Sequence, residues 1–460
     1  MKKSILILGA AIMATSLSFS QFRENNKDGL NVFETPKTEK EFKGVKTTIG
    51  GGFTQSYQAL DHSNSNIATV NGATTTYANP RMVAGVDQNK LIGLVPGFNL
   101  ASANLMLKTQ LADGVALNME LYLASRHHNE TWVKGGFIQF DKLSFMNLDF
   151  VDNIMKYTTI KVGQMEVNYG DAHFRRSDGG NSIFNPFVEN YIMDAFATEV
   201  GAEVDVQYNG LVGVAGITSG KLNSNIVEEP AVVGATDGVH KPAFLGKLGY
   251  DKQLTDDLRV RLTGSVYYTA GSLGQTLFGG DRTGSHYFGV MDFAKPSTSS
   301  YTTGRLNPGF SDKVTALSGN LFLKFMGLES FTTLEQASGR QKDEITGERT
   351  ANQFATDLLY RFGKDENFWV GARYNTFSAT MPKTAAVNAV ANPVTTAVAA
   401  LAPYKVGADK LAVSAGWFIT KNVMAKLEYV QQNYDYKNAP QSILNGGKFS
   451  GFIVEAVVGF

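Results

Sequence analysis

The sequence predicts an all-β fold: a transmembrane antiparallel β-barrel of about 16 strands, with short periplasmic turns, long extracellular loops and the third loop folded inward. Three observations carry this expectation. Segments near the length of a tilted membrane strand alternate apolar and polar residues along most of the chain. The links between them are alternately short and long, which suits turns on one side of a membrane and loops on the other. The 47 Gly, 30 Phe and 18 Tyr among 460 residues suit Gly-rich turns and aromatic strands.

At the N-terminus, Lys2 and Lys3 precede an apolar run from Ile5 to Met13, followed by Ser16, Ser18 and Ser20. This pattern predicts a secretory signal peptide over residues 1–20, removed near Ser20 or Gln21. The run is shorter than the roughly 20 residues a spanning helix needs. Residues 21–41 are polar and read as a loose periplasmic N-terminal arm, and residues 42–460 as the outer-membrane barrel.

Expected strands lie at 43–58, 98–112, 114–126, 131–143, 156–168, 197–209, 210–220 and 242–253. The series continues at 256–271, 314–327, 328–340, 349–363, 366–380, 405–420, 421–436 and 447–460. Every second link is tight, as at Ala112-Asp113-Gly114, Asn209-Gly210, Leu254-Thr255-Asp256, Met326-Gly327, Gly363 to Glu366 and Thr420-Lys421-Asn422. Asn-Gly and Asp-Gly favour hairpins because both residue types tolerate positive φ. The link near Asn147 to Asn153 is the longer exception. Long loops are expected at 59–97, 169–196, 221–241, 272–313 and 381–404. Gly50-Gly51-Gly52 falls inside a strand and reads as a bend rather than a phosphate loop. The Ala/Val-rich loop from Thr384 to Ala402 suggests an exposed interaction site.

The faces of the strands agree with a membrane wall. Val115, Leu117, Met119, Leu121 and Leu123 share one side; Leu258, Val260, Leu262, Val266 and Tyr268 share another; and Phe452, Val454, Ala456, Val458 and Phe460 close the chain. The opposite faces are charged. Lys108, Arg126, Lys161, Arg259, Arg261, Lys324, Arg361, Arg373 and Lys426 are expected in the lumen beside Glu120, Glu203, Asp205, Asp357, Glu428 and Glu455.

The segment from Lys161 to Gln207 organises the rest. Both ends alternate like strands, and the middle, Asn168 to Ala197, is too long for an ordinary connection. Its aromatics (Tyr169, Phe174, Phe184, Phe187, Tyr191, Phe196) argue against disorder. It is expected to fold into the barrel and narrow it. Within it, Arg175, Arg176 and His173 could face a passing anion as fixed positive charge. Alternatively, Asp171, Asp178 and Glu189 pair with the arginines in a neutral structural network.

Other chemistries lack their residues. With no Cys, disulfides and thiolate metal sites are excluded. A formal charge of zero, from 42 basic and 42 acidic residues, gives nucleic acid no footprint. All six histidines fall in expected loops, so no Ser–His pair can be set at strand height. His127 and His128 are adjacent and lack a clustered third ligand. No catalytic residue, metal or cofactor is expected.

Thr159-Ile160-Lys161-Val162-Gly163-Gln164, leading into the long third loop, resembles the phosphate-selective porin O and P family as it occurs in Bacteroidota. So does the ending from Gly446-Gly447-Lys448-Phe449-Ser450-Gly451-Phe452 to Val458-Gly459-Phe460. The alternation closing on Phe460 looks like the aromatic C-terminal signal read by the outer-membrane assembly machinery. The resemblance implies a sixteen-stranded barrel, often a homotrimer, in the cell outer membrane. Phosphate selectivity in that family needs a dense Arg and Lys array, whereas the expected lumen here is mixed. The sequence therefore points to a passive diffusion channel for small hydrophilic solutes, with anions as the candidate preference, surrounded by outer-membrane lipid and lipopolysaccharide. The competing expectation is a barrel plugged by its loops and serving a larger envelope complex.

Overall fold

In lipid, every backbone N–H and C=O must find a partner within the protein, and a closed antiparallel sheet does this without leaving an edge. A computed structural model describes residues 23–37, 42–65, 67–70, 73–77, 81–124, 130–222, 226–233, 237–294, 300–345, 347–385, 387–391, 393–397 and 400–460. The expected Arg126, His127 and His128 and the signal segment lie outside the described residues.

Sixteen strands form the wall: β1 (Lys46–Ser63), β2 (Ser102–Ala112), β3 (Val115–Leu123), β4 (Trp132–Phe140), β5 (Thr158–Glu166), β6 (Thr198–Tyr208), β7 (Leu211–Thr218) and β8 (Ala243–Gln253). They continue as β9 (Leu258–Thr269), β10 (Lys313–Phe325), β11 (Leu328–Arg340), β12 (Arg349–Phe362), β13 (Phe368–Met381), β14 (Tyr404–Phe418), β15 (Val423–Asp435) and β16 (Lys448–Gly459). Each pairs antiparallel with its sequence neighbours. β1 closes the ring on β16, from Gly52 opposite Gly459 to Ser63 opposite Lys448. All sixteen expected segments are strands; the first runs on to Ser63 rather than stopping at 58.

The turns follow from their residues. Asn209 and Gly210 both adopt positive φ, 48° and 89°, as a two-residue hairpin between twisted strands requires. The longer link between β4 and β5 holds a 3₁₀ turn (Ser144–Met146) and a short helix α1 (Asp149–Met155).

Outward positions are apolar: Leu248, Leu262, Leu321, Leu358, Val370, Val413 and Val454 are all exposed on the wall. Near the turn end, the rings of Tyr360, Phe362, Phe368 and Trp417 stack in sequence with interplanar angles of 14°, 20° and 14°. Such aromatic rows mark the membrane–water boundary.

The core sits inside the barrel. Phe187, Val188, Ile192 and Met193 of the inward loop pack with Phe377, Phe449 and Ile453 of the wall. The N-terminal arm departs from expectation. Residues 23–37 are a packed strap rather than a loose tail. Phe33 is buried against Phe174, Phe322 and Phe331, with ring centroids 5.4–6.4 Å away. Burying one such ring contributes about 1.5–3 kcal/mol, which explains how a polar segment can be held. The Ala/Val-rich loop also finds an intramolecular partner: Gly85 donates to the Val394 carbonyl (2.8 Å) and Thr396 to the Met82 carbonyl (2.8 Å).

Placing Arg at Leu262, which is 58% exposed on the outer wall, should destabilise the barrel by about 2–4 kcal/mol. Arg at Asp256, in a turn, should stay within about 0.5 kcal/mol. Denaturant titration in lipid vesicles measures both.

Candidate functional site

The inward loop leaves the wall where Val167 donates to the Ala197 carbonyl at 3.0 Å, closing its neck at the ends of β5 and β6. Its first turn is 3₁₀ over Ala172–Arg175. Asp171, just before that turn, accepts from Arg261 Nε and Nη2 (2.8 Å each), Thr263 Oγ1 (2.7 Å) and Lys247 Nζ (3.1 Å). Its own N–H donates to Asn320 (3.0 Å). Asp171 thereby ties the loop to β8 and β9 through its carboxylate and to β10 through its N–H.

The two arginines are paired. Arg175 binds Glu329, which also takes Arg361 (2.9 Å) and Asn31 of the strap (2.8 Å). Arg176 forks onto Asp178 (2.5 and 2.9 Å) and Asp194 (2.6 and 2.8 Å). Arg305, from the loop between β9 and β10, joins Glu189 (2.7 Å), Asp194 (2.9 Å) and Asp178 (3.3 Å). His173 rests on Phe174 and hydrogen-bonds Asn168 at 3.0 Å. All five constriction candidates, Asp171, His173, Arg175, Arg176 and Asp178, lie together and buried. Burial alone would raise the Glu189 carboxyl; Arg305, His286 and the Asn190 N–H outweigh it and hold the group down at about 2.

The loop also meets the far wall. Arg373 and Lys410 donate to the carbonyls of Glu189 and Asn190 (2.6 Å each), and Lys426 to that of Phe187 (2.8 Å). Asn375 and Gln353 receive the N–H groups of Ile192 and Met193. Gly180 sits where a side chain on it would strike Met106 and one on Gly52 would strike Gly180 itself. The loop therefore touches the wall from β8 round to β2.

The other expected lumen charges point inward and mostly pair. Lys161 contacts Glu203 (2.8 Å) and Asp205 (2.6 Å), Arg259 contacts Asp251 (2.8 Å), and Arg373 contacts Asp357 (2.7 Å). Glu120 accepts from Asn104 (2.7 Å), and Lys108 stands on the inner side of β2 opposite Asn118. Water reaches three of the groups near β3 to β6: the side chains of Glu120, Lys161 and Glu166 are 27%, 23% and 30% exposed. Asp171 and Asp178 are almost fully enclosed. Around the loop-side opening of this crescent, Tyr122, Trp132, Phe196 and Lys134 line a cavity of about 120 Å³.

Sequence reasoning missed the strap and its Glu34, which reaches Arg261 (2.6 Å) and Lys247 (3.2 Å). It also missed Lys247, Arg305, Asp194 and Glu329. Strand parity could have flagged Lys247 and Glu329, because each is a charge on an inward position. Nothing local distinguishes Arg305 in its long loop.

No protein-family model matches the chain, and no curated protein matches it. Among solved structures it is similar to an anion-selective porin from Comamonas acidovorans, with 9% identity and a TM-score of 0.50 over 90% of this chain and 100% of that one. OmpT of Vibrio cholerae aligns with 91% of this chain and 99% of its own at 8% identity and TM-score 0.46. The outer membrane channel DcaP of Acinetobacter baumannii aligns with 92% and 99% at 10% identity and TM-score 0.43. At such identities the likeness is one of fold, and it rests on the first of these. The molecule is a closed sixteen-stranded antiparallel barrel, a fold it shares with that porin.

Replacing Glu329 by Gln leaves Arg175 and Arg361 buried with a neutral partner, and should cost about 3–5 kcal/mol in denaturant unfolding. A second outcome concerns pH. The Glu189 carboxyl is held below its ordinary value of 4.5. Its contribution is thus complete above that value and lost as the pH falls toward 2. Resistance of the loop to proteolysis should decline across that window, and Glu189→Gln should flatten the decline.

Proposed function

We propose that the protein is a porin, a passive diffusion channel for small hydrophilic solutes. The observation that carries this reading is the crescent along β3 to β6, where Glu120, Lys161 and Glu166 stay in contact with water while the loop packs against the inner wall from β8 round to β2. A solute passing there meets a narrow, charged slot rather than an open cylinder. Charged rings at such constrictions sort permeating ions.

The preference we assign differs from the anion preference suggested by Arg175 and Arg176. Both guanidinium groups face carboxylates, so they present little net positive field. The crescent carries Glu120, Glu166, Glu203, Asp205 and Asp281 against Lys108, Lys134 and Lys161. We therefore assign a weak cation preference. The resemblance to the phosphate-selective porin O and P family is carried forward for the barrel and its inward loop, without phosphate as the solute. A homotrimer belongs to the same proposal, and the mass of the detergent-solubilised particle tests it.

A specific observation also favours a plugged barrel. The strap crosses the periplasmic mouth, from Lys27 bonded to the Lys421 carbonyl (N···O 2.7 Å) and Asn367 (2.5 Å) to Lys37 at the Asp141 carbonyl (2.7 Å). Planar-bilayer recording separates the two readings. The channel reading expects stable conductance steps and a reversal potential of cationic sign across a salt gradient. Glu120→Gln with Glu166→Gln should shift that potential toward anions, and deletion of residues 23–37 should enlarge the steps. A folded barrel that gives steps only after the deletion is the plugged form. Anion selectivity abolished by Arg175→Ala would return the fixed positive charge to the loop.

A further inference from the structure

The link between β4 and β5 carries an apolar surface that the channel does not use. Phe145, Met146, Leu148, Phe150, Ile154 and Tyr157 are 40–67% exposed within one short stretch, on the turn side of the barrel. Elsewhere on that side the connections are tight and expose at most one or two large apolar side chains each, as at Asp113-Gly114, Asn209-Gly210 and Met326-Gly327. Large rings and aliphatic chains kept in water at a turn oppose folding, so the surface calls for a covering.

We propose that α1 and its flanks are an interfacial foot, lying in the headgroup and acyl boundary of the periplasmic leaflet beside the barrel. Continuity with the lipid-facing wall supports this occupant. The Tyr157 ring packs edge-on against Tyr208, an outward residue at the end of β6, with centroids 4.9 Å apart. Outward Phe140 and Ile160 lead from the wall into the same link. The flanks hold Lys156, a cation suited to anionic headgroups, and Lys142, which pairs with Asp113 (3.1 Å); Asp149 and Asp152 lie on the helix with the polar Asn153. Aromatic and aliphatic side chains with lysines beside them are the composition that settles at a bilayer interface. A second copy of the chain is a weaker fit. Seven helical residues span only about 10 Å, too short a segment to supply on its own the roughly 800 Å² per partner that a stable protein interface buries.

The foot also has a reason to be rigid. Met155 is its buried residue, and Lys37 of the strap reaches the carbonyls of Met155, Thr158 and Asp141 from the lumen side. The link is thereby clamped from within while its apolar side faces outward.

The natural chain has no Cys, so single cysteines can be labelled without background. Phe145→Cys, Phe150→Cys, Ile154→Cys, Asp149→Cys and Asn153→Cys would each carry an environment-sensitive fluorophore in the full barrel, reconstituted in phosphatidylethanolamine–phosphatidylglycerol vesicles. Asp256→Cys, in the β8–β9 turn, serves as the aqueous reference. Heat-modifiable migration in gels confirms folding of each variant. Labels at 145, 150 and 154 should emit blue-shifted light, be quenched by spin-labelled lipids and resist aqueous iodide severalfold more than the reference. Labels at 149 and 153 should behave like the reference. Iodide quenching equal at all six sites would overturn the foot. Protection that is lost on dilution of protein at constant lipid would also overturn it, in favour of contact between copies. Either result leaves the conductance reading untouched, because the foot lies outside the lumen.

Discussion

Asp171 is the point at which wall, loop and strap are held to one another. Its carboxylate meets Lys247 and Arg261, and both of these cations also hold Glu34 of the strap. Two cations and two anions thus share one enclosed site, each supplied by a different part of the chain. Such a cluster adds little stability over an apolar packing of equal volume, because four charges have been taken out of water. Removing any one member, however, strands the others. The knot therefore fixes the conformation of the interior more than it deepens its stability. The loop can take one path across the lumen, and the strap can take one path beneath it.

That asymmetry explains why the barrel was legible in the sequence and its contents were not. A wall residue answers to lipid or lumen with a period of two, so Leu258, Val260 and Leu262 on one side and Arg259 and Arg261 on the other declare the strand and its orientation. The turns at Asn209-Gly210 and Met326-Gly327 declare the register. Inside the lumen no period applies. Glu34 and Asp171 are separated by over a hundred positions, and Arg305 reaches Glu189 across a comparable gap. Each contact depends on how the loop crosses a closed space, which local patterning does not encode. The polarity of residues 21–41 even suggested a loose arm, since Phe33 was the sole large ring among charges beyond Phe22. Its burial becomes intelligible only once Phe322 and Phe331 are known to face inward at the same height.

The same closed space decides what the loop arginines can do for a solute. A guanidinium attracts a passing anion only by the field left after its neighbours are counted. Arg176 and Arg305 share Asp178 and Asp194, and Arg305 also binds Glu189, so this cluster carries one more formal negative charge than positive. Charge buried in this way is a scaffold for the loop.

On the porin reading, the field felt by a solute comes from groups that keep contact with water. On the β3 to β6 side these are Glu120, Lys161 and Glu166, with Glu203 and Asp205 behind the lysine. Lys161 faces two carboxylates at once, Glu203 and Asp205. Glu120 shares Lys134 with Asp281, the lysine lying nearer to Asp281 (2.6 Å) than to Glu120 (3.5 Å). Lys134 and Lys161 thus each face two acids, whereas Lys108 stands opposite the neutral Asn118. On the porin reading, the inward loop fills the part of the lumen whose charges are paired, and a solute would run along the β3 to β6 side, where Glu120, Lys161 and Glu166 keep contact with water.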